Sequence, residues 1–237
     1  MFRISGYRPE LWDALTGNIK EAKAFTQKDG VTTIPLVFEP YGSVIIVFNK
    51  PIDKNENGID TRNYPDYESI MTLNGAWLLH FDTVWGGPET IEFPHLSDWS
   101  EHPDERIKYY SGPAVYHKMF DVDFDIEKDK SYYLQLESVK DVGIATVKIN
   151  GEDKGVTWTK PFRVDITENI KKGKNKVEIK VINSWYNRVA GDEMNPDKRQ
   201  YTKTNIVLGH DFTGKPLNEI PLEPSGLIGP VMIVVEK

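Results

Sequence analysis

The feature that most constrains the fold of this chain is a strict alternation of apolar and polar residues over many short segments. Residues 176–182 place Val177, Ile179 and Val181 on one face of a strand, because successive side chains of a strand point to opposite faces. Residues 120–125 and 145–149 repeat the pattern. No window of a dozen residues carries a convincing helical stripe. The sequence therefore predicts short strands with one buried face each.

Turn signals separate these segments. Asn150-Gly151 follows an alternating run and precedes a short second arm, which is the strongest short-range signal for a β-hairpin. Further breakers occur at residues 74–75, 86–88 and 111–113. These intervals are too short for the crossover helices that parallel strands need. The predicted fold class is all-β and antiparallel.

A polar segment divides the chain. Residues 51–70 are rich in Asp and Asn and are interpreted as a linker. Residues 1–50 offer few strands, chiefly 31–38 and 43–48, and predict a partial β-sandwich at the end of a preceding domain. Residues 71–237 hold most of the strand candidates and aromatic residues, and predict a complete jelly-roll β-sandwich.

Charge and composition exclude several function classes. The net charge of -7 is spread along 237 residues without a basic stripe, which argues against nucleic acid as a partner. Cysteine is absent, so disulfides, thiolate zinc sites and cysteine nucleophiles are excluded. No stretch approaches the ~20 apolar residues of a membrane span, and the first residues lack the regions of a signal peptide. We interpret the chain as a soluble fragment of a longer polypeptide, with no membrane partner.

One ordered series of motifs resembles the galactose-binding-like sugar-binding domain of glycoside hydrolases. Its parts are residues 145–151 (Ala-Thr-Val-Lys-Ile-Asn-Gly), Gly155, residues 161–167 (Pro-Phe-Arg-Val-Asp-Ile-Thr) and residues 173–175 (Gly-Lys-Asn). Residues 110–116 (Tyr-Ser-Gly-Pro-Ala-Val-Tyr), followed by Phe120, resemble the strand that enters this domain in family 2 enzymes such as β-galactosidases and β-glucuronidases.

A second set of motifs is more similar to the C-terminal region of family 106 α-L-rhamnosidases, the resemblance that we favour. It comprises residues 73–77 with 85–88, Asn187-Arg188 with residues 191–193, and residues 225–230 (Ser-Gly-Leu-Ile-Gly-Pro). Residues 9–13 with Thr16-Gly17, and residues 40–44, are similar to the β-sandwich that follows a catalytic barrel in such enzymes. Family 2 enzymes place the sugar-binding domain before the barrel, and no barrel follows here, so a C-terminal position fits better.

The resemblance implies a non-catalytic ancillary domain of a polysaccharide-degrading glycoside hydrolase, whose acid and base carboxylates lie in the barrel. The implied partners are the catalytic barrel domain of the parent chain and an oligosaccharide or polysaccharide. The implied location is periplasmic or extracellular, within a larger secreted bacterial enzyme. Two alternatives stay open: an independent carbohydrate-binding module, and a purely structural or adhesive β-sandwich.

Sugar recognition needs aromatic faces for the ring and planar polar groups for the hydroxyls. Asp192 and Glu193 point to opposite faces of an extended segment, so they form a poor acid and nucleophile pair. They are interpreted as an acidic loop that is stabilised by Arg188 or Arg199, or that faces the catalytic domain or a sugar. No catalytic residue is predicted. The candidate sugar-binding residues are Trp158, Trp185, Asn187, Arg188, Asp192 and Glu193.

Residues 53–60 copy the first half of a calcium loop, with oxygen donors at alternate positions and Gly58 for the turn. The twelfth position is Tyr64, so the bidentate glutamate of an EF-hand is missing. A looser structural calcium site is the only predicted cofactor, with a plain solvated linker as the alternative. The five histidines lack metal-ligand spacing. The candidate calcium ligands are Asp53, Asn55, Asn57 and Asp60.

Overall fold

The computed structural model describes residues 1–140, 143–204 and 221–237. The chain divides into two compact units, residues 1–67 with Lys237, and residues 68–236. The prediction of an all-β sandwich fold is confirmed. Within the described residues, no helix has the length and apolar character to cross a membrane.

The strands lie in both units and are short except for β9 and β15. Their bounds are β1 Tyr7–Trp12, β2 Ile19–Glu21, β3 Thr26–Lys28, β4 Val31–Thr33, β5 Ile45–Pro51, β6 Tyr67–Thr72, β7 Trp77–Phe81, β8 Thr90–Phe93, β9 Pro113–Val122, β10 Tyr132–Leu136, β11 Val139–Lys140, β12 Ile144–Ile149, β13 Glu152–Thr157, β14 Phe162–Asp165, β15 Gly173–Ile182, β16 Gly226–Leu227 and β17 Val231–Glu236. The helices are α1 Glu105–Lys108 and α2 Tyr186–Met194, with 3-10 turns at Thr83–Trp85 and Trp99–Glu101.

The first unit holds a three-stranded sheet in the order β2-β1-β5 and the hairpin β3-β4. Both neighbours of β1 pair with it in the antiparallel sense. The small core contains Leu11, Ala22, Phe25 and Ile34. The predicted strand at residues 31–38 is shorter in the structure, where β4 ends at Thr33.

The first part of the predicted linker at residues 51–70 packs within the first unit. Ile52 and Tyr64 lie against its core. The Asn63 side chain binds the backbone of Ala24 twice, since its amide donates to the Ala24 carbonyl at 2.8 Å and its oxygen accepts from the Ala24 N–H at 2.8 Å. The Asp- and Asn-rich composition therefore serves hydrogen bonds to backbone as well as solvent contact.

The second unit contains a six-stranded antiparallel sheet in the order β13-β12-β15-β9-β7-β8. Its alternating residues behave as the sequence predicts: Val177, Ile179 and Val181 are fully buried. The predicted hairpin joins β12 to β13, with positive φ at Asn150 and Gly151 as a type I′ turn requires.

A four-stranded sheet, in the order β14-β10-β17-β6, faces this layer. Leu134 of β10 and Ile233 of β17 share one buried cluster with Val147 of β12 and Leu79 of β7. Because both sheets contribute their inward residues to one core, the second unit is a β-sandwich. Assignment of that sandwich to the jelly-roll, galactose-binding-like type stays a prediction.

Helix α2 corrects the expectation of extended chain after β15. It spans Tyr186–Met194, and its buried side includes Asn187, Arg188 and Asp192. Six consecutive residues of α2, 187–192, are buried and three of them are polar, so no apolar stripe was present for hydrophobic periodicity to detect. The turn that leads into it is fixed by Asn183, whose side chain donates to the Tyr110 carbonyl at 2.9 Å.

Candidate functional site

A pocket of about 240 Å³ opens beside α2 in the second unit. Its walls come from α1, α2, the segment that follows α2, and the turn at Gly86. The lining residues are Gly86, Glu105, Arg106, Tyr109, Arg188, Gly191, Asp192, Asn195, Lys198, Arg199 and Tyr201. The two predicted sugar-binding residues that it brings together are Arg188 and Asp192.

Asp192 fixes the segment that closes the pocket. Its Oδ2 accepts hydrogen bonds from the backbone N–H of Tyr201 at 2.9 Å and of Thr202 at 2.7 Å. The Thr202 hydroxyl donates to the same oxygen at 2.8 Å. Asp192 is buried on α2, so these bonds tie residues 201 and 202 to a rigid element.

Tyr201 forms one aromatic wall of the pocket. The guanidinium carbon of Arg188 lies 4.5 Å from the centroid of its ring, and that of Arg199 lies 4.8 Å from the same centroid. Both distances are in the range of cation–π attraction. Gly86 lies against this ring with φ +81°, and a Cβ there would overlap the ring atoms.

Arg188 is an unusually buried cation, with 5% of its surface exposed. One of its terminal nitrogens donates to the Trp85 carbonyl at 3.2 Å, while its Nε has no hydrogen-bond partner among the described residues. Burial lowers the pKa of Arg188, and nearby Asp192 counteracts that shift. An arginine stays charged even when its pKa is lowered, so the pocket wall carries a desolvated positive charge.

The other pocket charges are mostly paired. Arg106 binds Asp104 at 2.6 Å, and Lys198 forms an ion pair with Glu105. In the described part of the chain, neither Arg188 nor Arg199 has a carboxylate within 4.0 Å. Among the described residues, the pocket therefore presents two guanidinium groups without a carboxylate partner, those of Arg188 and Arg199, with Asp192 nearby.

Asn187 belongs to a structural clamp next to the pocket. Its side-chain nitrogen donates to the Glu223 carbonyl at 2.7 Å, and its oxygen accepts from the Glu223 N–H at 2.9 Å. The residue is fully buried. Glu193 is half-buried at the end of α2. The predicted acidic loop of Asp192 and Glu193 is thus helical, and Asp192 binds backbone donors where ion pairing with Arg188 or Arg199 was expected.

The two predicted tryptophans occupy different positions. Trp185 precedes α2, is 44% exposed, and packs its ring against Trp85 with centroids 4.8 Å apart at 75°. Trp158 follows β13 and is 60% exposed. Trp77, at the start of β7, is buried in the core.

Sequence reasoning missed several pocket residues. Tyr201, Lys198 and Arg106 were not singled out, although the short run of residues 198–201 (Lys-Arg-Gln-Tyr) combines cations with an aromatic ring. That run is a weak signal alone, and only the fold brings it against α2.

The side chains of three of the four predicted calcium ligands accept hydrogen bonds from backbone N–H groups. Asp53 accepts from Asn55 at 2.7 Å, Asn57 from Gln27 at 2.7 Å, and Asp60 from Thr61 at 2.7 Å. Across the described ranges, no group of three or more His, Asp or Glu side chains is arranged to hold a metal ion. A calcium site at residues 53–60 stays a prediction.

The comparisons with known proteins point to glycoside hydrolases. The solved rhamnosidase from Novosphingobium sp. PP1Y is 33% identical, with a TM-score of 0.81 over 99% of this chain and 21% of that chain. The protein named "Putative beta-glucuronidase" in Formosa agariphila is 36% identical over 189 residues, which are 70% of this chain and 16% of that protein. The solved β-D-glucuronidase from Dictyoglomus thermophilum is 19% identical, with a TM-score of 0.47 over 73% of this chain and 29% of that chain. No protein-family model matches the sequence.

This chain therefore spans about a fifth of the rhamnosidase structure and 16% of the Formosa protein. The sequence and fold are related to a part of a glycoside hydrolase.

Proposed function

We propose that this chain is a non-catalytic ancillary β-sandwich of a polysaccharide-degrading glycoside hydrolase of the α-L-rhamnosidase type, family 106. The observation that carries the proposal is the whole-chain likeness to the Novosphingobium rhamnosidase, at a TM-score of 0.81 and 33% identity. Its partners in this proposal are the catalytic barrel of the parent chain and an oligosaccharide, in a periplasmic or extracellular enzyme.

A non-catalytic role is supported by the state of the pocket carboxylates. Glycoside hydrolysis needs one carboxyl group to hold a proton and a second to act as base or nucleophile. Asp192 accepts three hydrogen bonds on one oxygen, and Glu105 is paired with Lys198. Both carboxylates already have structural partners, which is a poor arrangement for proton transfer.

Sugar contact is supported by the surface beside α2. The half-exposed ring of Trp185 can stack on a pyranose, since aromatic faces match the C–H edges of sugars. The pocket walls add polar groups from Asn195 and Arg199 for hydroxyls.

An independent carbohydrate-binding module is the second candidate, and the 60% exposure of Trp158 favours it. A targeting module of that kind presents an aromatic side chain on an open surface. In this alternative Trp158 rather than Trp185 provides the binding platform.

Isothermal titration calorimetry of the chain with rhamnose-containing and galactose-containing oligosaccharides tests both candidates. Loss of binding in Trp185→Ala, with binding retained in Trp158→Ala, supports the ancillary domain with a site beside α2. The reverse pattern supports the independent module. Hydrolysis of p-nitrophenyl α-L-rhamnoside by the purified chain would refute the non-catalytic role.

A further inference from the structure

We propose that the pocket beside α2 binds the acidic group of a saccharide unit, a carboxylate or a sulfate ester on a single sugar. This inference rests on the proposed sugar-contacting function and names its substrate class. Among the described residues, two cations of this pocket lack a carboxylate partner, and we call this the charge imbalance of the pocket.

The imbalance lies with Arg188 and Arg199. The cations at positions 106 and 198 have acidic partners, at Asp104 and Glu105. The two remaining guanidiniums meet on Tyr201, and no carboxylate of the described residues lies within 4.0 Å of either. Two cations gathered on one ring repel each other, and a nearby anion offsets that repulsion.

Burial makes the unpaired positive charge of Arg188 energetically unfavourable. Arg188 is 5% exposed and its Nε is unpaired within the described ranges, so one N–H of the guanidinium is desolvated without a replacement hydrogen bond. Unpaired buried charge is among the least favourable features of a folded protein. A bound anion at the pocket would offset the positive charge, and two oxygens of a carboxylate or of a sulfate ester can accept hydrogen bonds from a guanidinium group.

Asp192 does not supply this anion. Its Oδ2 is directed to the N–H groups of residues 201 and 202 and to the Thr202 hydroxyl. It lies beyond 4.0 Å from the Arg188 nitrogens and weakens the effect of burial without pairing. Asp192 thus shapes the wall and does not pair with either guanidinium.

The size of the pocket limits the ligand. About 240 Å³ is smaller than the ~300–1,000 Å³ of pockets that enclose drug-sized molecules. Tyr109 and Tyr201 give the pocket aromatic walls, and Asn195 gives it an amide. Such a lining suits one acidic sugar unit of a longer chain rather than an extended neutral segment.

Calorimetric titration at low ionic strength is the test, with methyl β-D-glucuronide, D-glucose 6-sulfate and methyl β-D-glucoside as probes. We expect one or both charged sugars to bind at least about tenfold more tightly than the glucoside, because hydrogen bonds to charged groups are the stronger ones. The relative affinity of the first two identifies carboxylate or sulfate as the preferred group. Sodium acetate and sodium sulfate, titrated alone, measure how far the anion binds without its sugar ring.

The variant Arg199→Gln removes one guanidinium at an exposed position, so its fold should be retained. It should weaken binding of the preferred charged sugar about fivefold or more, and by a larger factor than it weakens binding of the glucoside. The matched control is Arg62→Gln, which removes an exposed arginine of the first unit. It should leave both affinities unchanged.

Equal affinity for the charged sugars and the glucoside, or absence of binding by all three up to about 20 mM, would overturn the inference. So would acetate or sulfate binding as tightly as the charged sugars, because the site would then hold a small anion only. If neutral oligosaccharides bind through Trp185 and the charged sugars bind no more tightly than the glucoside, the proposed function stands and only this inference fails.

Discussion

Thr202 donates both its backbone N–H and its hydroxyl to a single oxygen of Asp192, at 2.7 and 2.8 Å. The two bonds connect the last turn of α2 to the segment that bears Arg199 and Tyr201. The wall of the pocket therefore depends on one buried carboxylate, and that dependence can be tested apart from ligand binding.

Asp192→Ala should release residues 201 and 202 from α2. Loss of the carboxylate leaves the donor groups of both residues without their partner, which typically lowers the free energy of unfolding by about 1–3 kcal/mol. Hydrogen exchange of the Tyr201 and Thr202 amides should become faster. Glu193→Ala is the matched control, since its half-buried side chain lies outside this set of bonds. Equal exchange rates in the two variants would contradict the role given to Asp192.

Gly58→Ala should destabilise the first unit. The backbone of residues 23–25 passes so close that an added Cβ would overlap the Lys23 carbonyl and lie 2.6 Å from the Phe25 nitrogen. Backbone atoms cannot move aside as a side chain can, so we expect a loss of about 3 kcal/mol in the free energy of unfolding.

The comparison for this variant is Gly30→Ala. Gly30 has φ +77° and nothing within 4 Å of an added Cβ, so its substitution costs only about 1 kcal/mol of backbone strain. Urea unfolding, monitored through the amide signals of β1 and β5, measures the loss of stability in both variants. A smaller loss for Gly58→Ala than for Gly30→Ala would show that the close approach at Gly58 does not matter.

Asn175→Ala should destabilise the second unit more than its size suggests. The Asn175 side chain is buried, donates to the carbonyls of Lys171 and Gly173 at 2.6 and 2.8 Å, and accepts from the Asn150 side chain at 2.9 Å. Leaving these groups unpaired should lower the free energy of unfolding by about 2–4 kcal/mol. Lys174→Ala, at the exposed neighbouring position, should change it by less than about 0.5 kcal/mol. Similar losses in both variants would contradict the prediction.

The strands could be predicted because alternation reports burial directly. Val177, Ile179 and Val181 face the core for the reason that the sequence shows: every second residue of a strand points inward. The same logic failed at α2, where Asn187 and Asp192 lie on the buried side. Their burial is decided by hydrogen bonds to distant segments, and no local pattern records such partners.

The site was predictable only in part for a related reason. Arg188 and Asp192 were singled out through a motif resemblance, but both contact Tyr201, Arg188 at its ring and Asp192 at its backbone N–H. Space for that ring depends on Gly86. Gly58 is a second example. The sequence places it in a calcium-like loop, whereas in the structure the backbone of Lys23 and Phe25 leaves no room for a side chain there. Close approaches between segments far apart in sequence follow from the tertiary fold and not from spacing.

Stability at high pH should depend on Tyr110. Its buried hydroxyl donates to the Pro113 carbonyl at 2.7 Å and accepts from the Asp82 N–H at 3.1 Å, and burial raises its pKa to about 12. Tyrosine in an unfolded chain titrates near pH ~10. Between these values the unfolded state has lost a proton that the folded state keeps, so raising the pH favours unfolding. The contribution of Tyr110 to the free energy of unfolding is fully present below pH ~10 and falls by about 1.4 kcal/mol per pH unit up to pH ~12.

Urea unfolding at pH 9 and pH 11, followed by tryptophan fluorescence, measures this effect in the second unit, where most tryptophans lie. Tyr110→Phe should be less stable than the wild type at pH 9 by about 1–3 kcal/mol, because the Asp82 N–H and Pro113 carbonyl lose their partner. Its further loss between pH 9 and pH 11 should be smaller than that of the wild type by about 1.4 kcal/mol. Tyr41→Phe, at a fully exposed position, should lose as much as the wild type. If Tyr110→Phe also lost the wild-type amount, the Tyr110 hydroxyl would not be the group whose ionisation opposes folding.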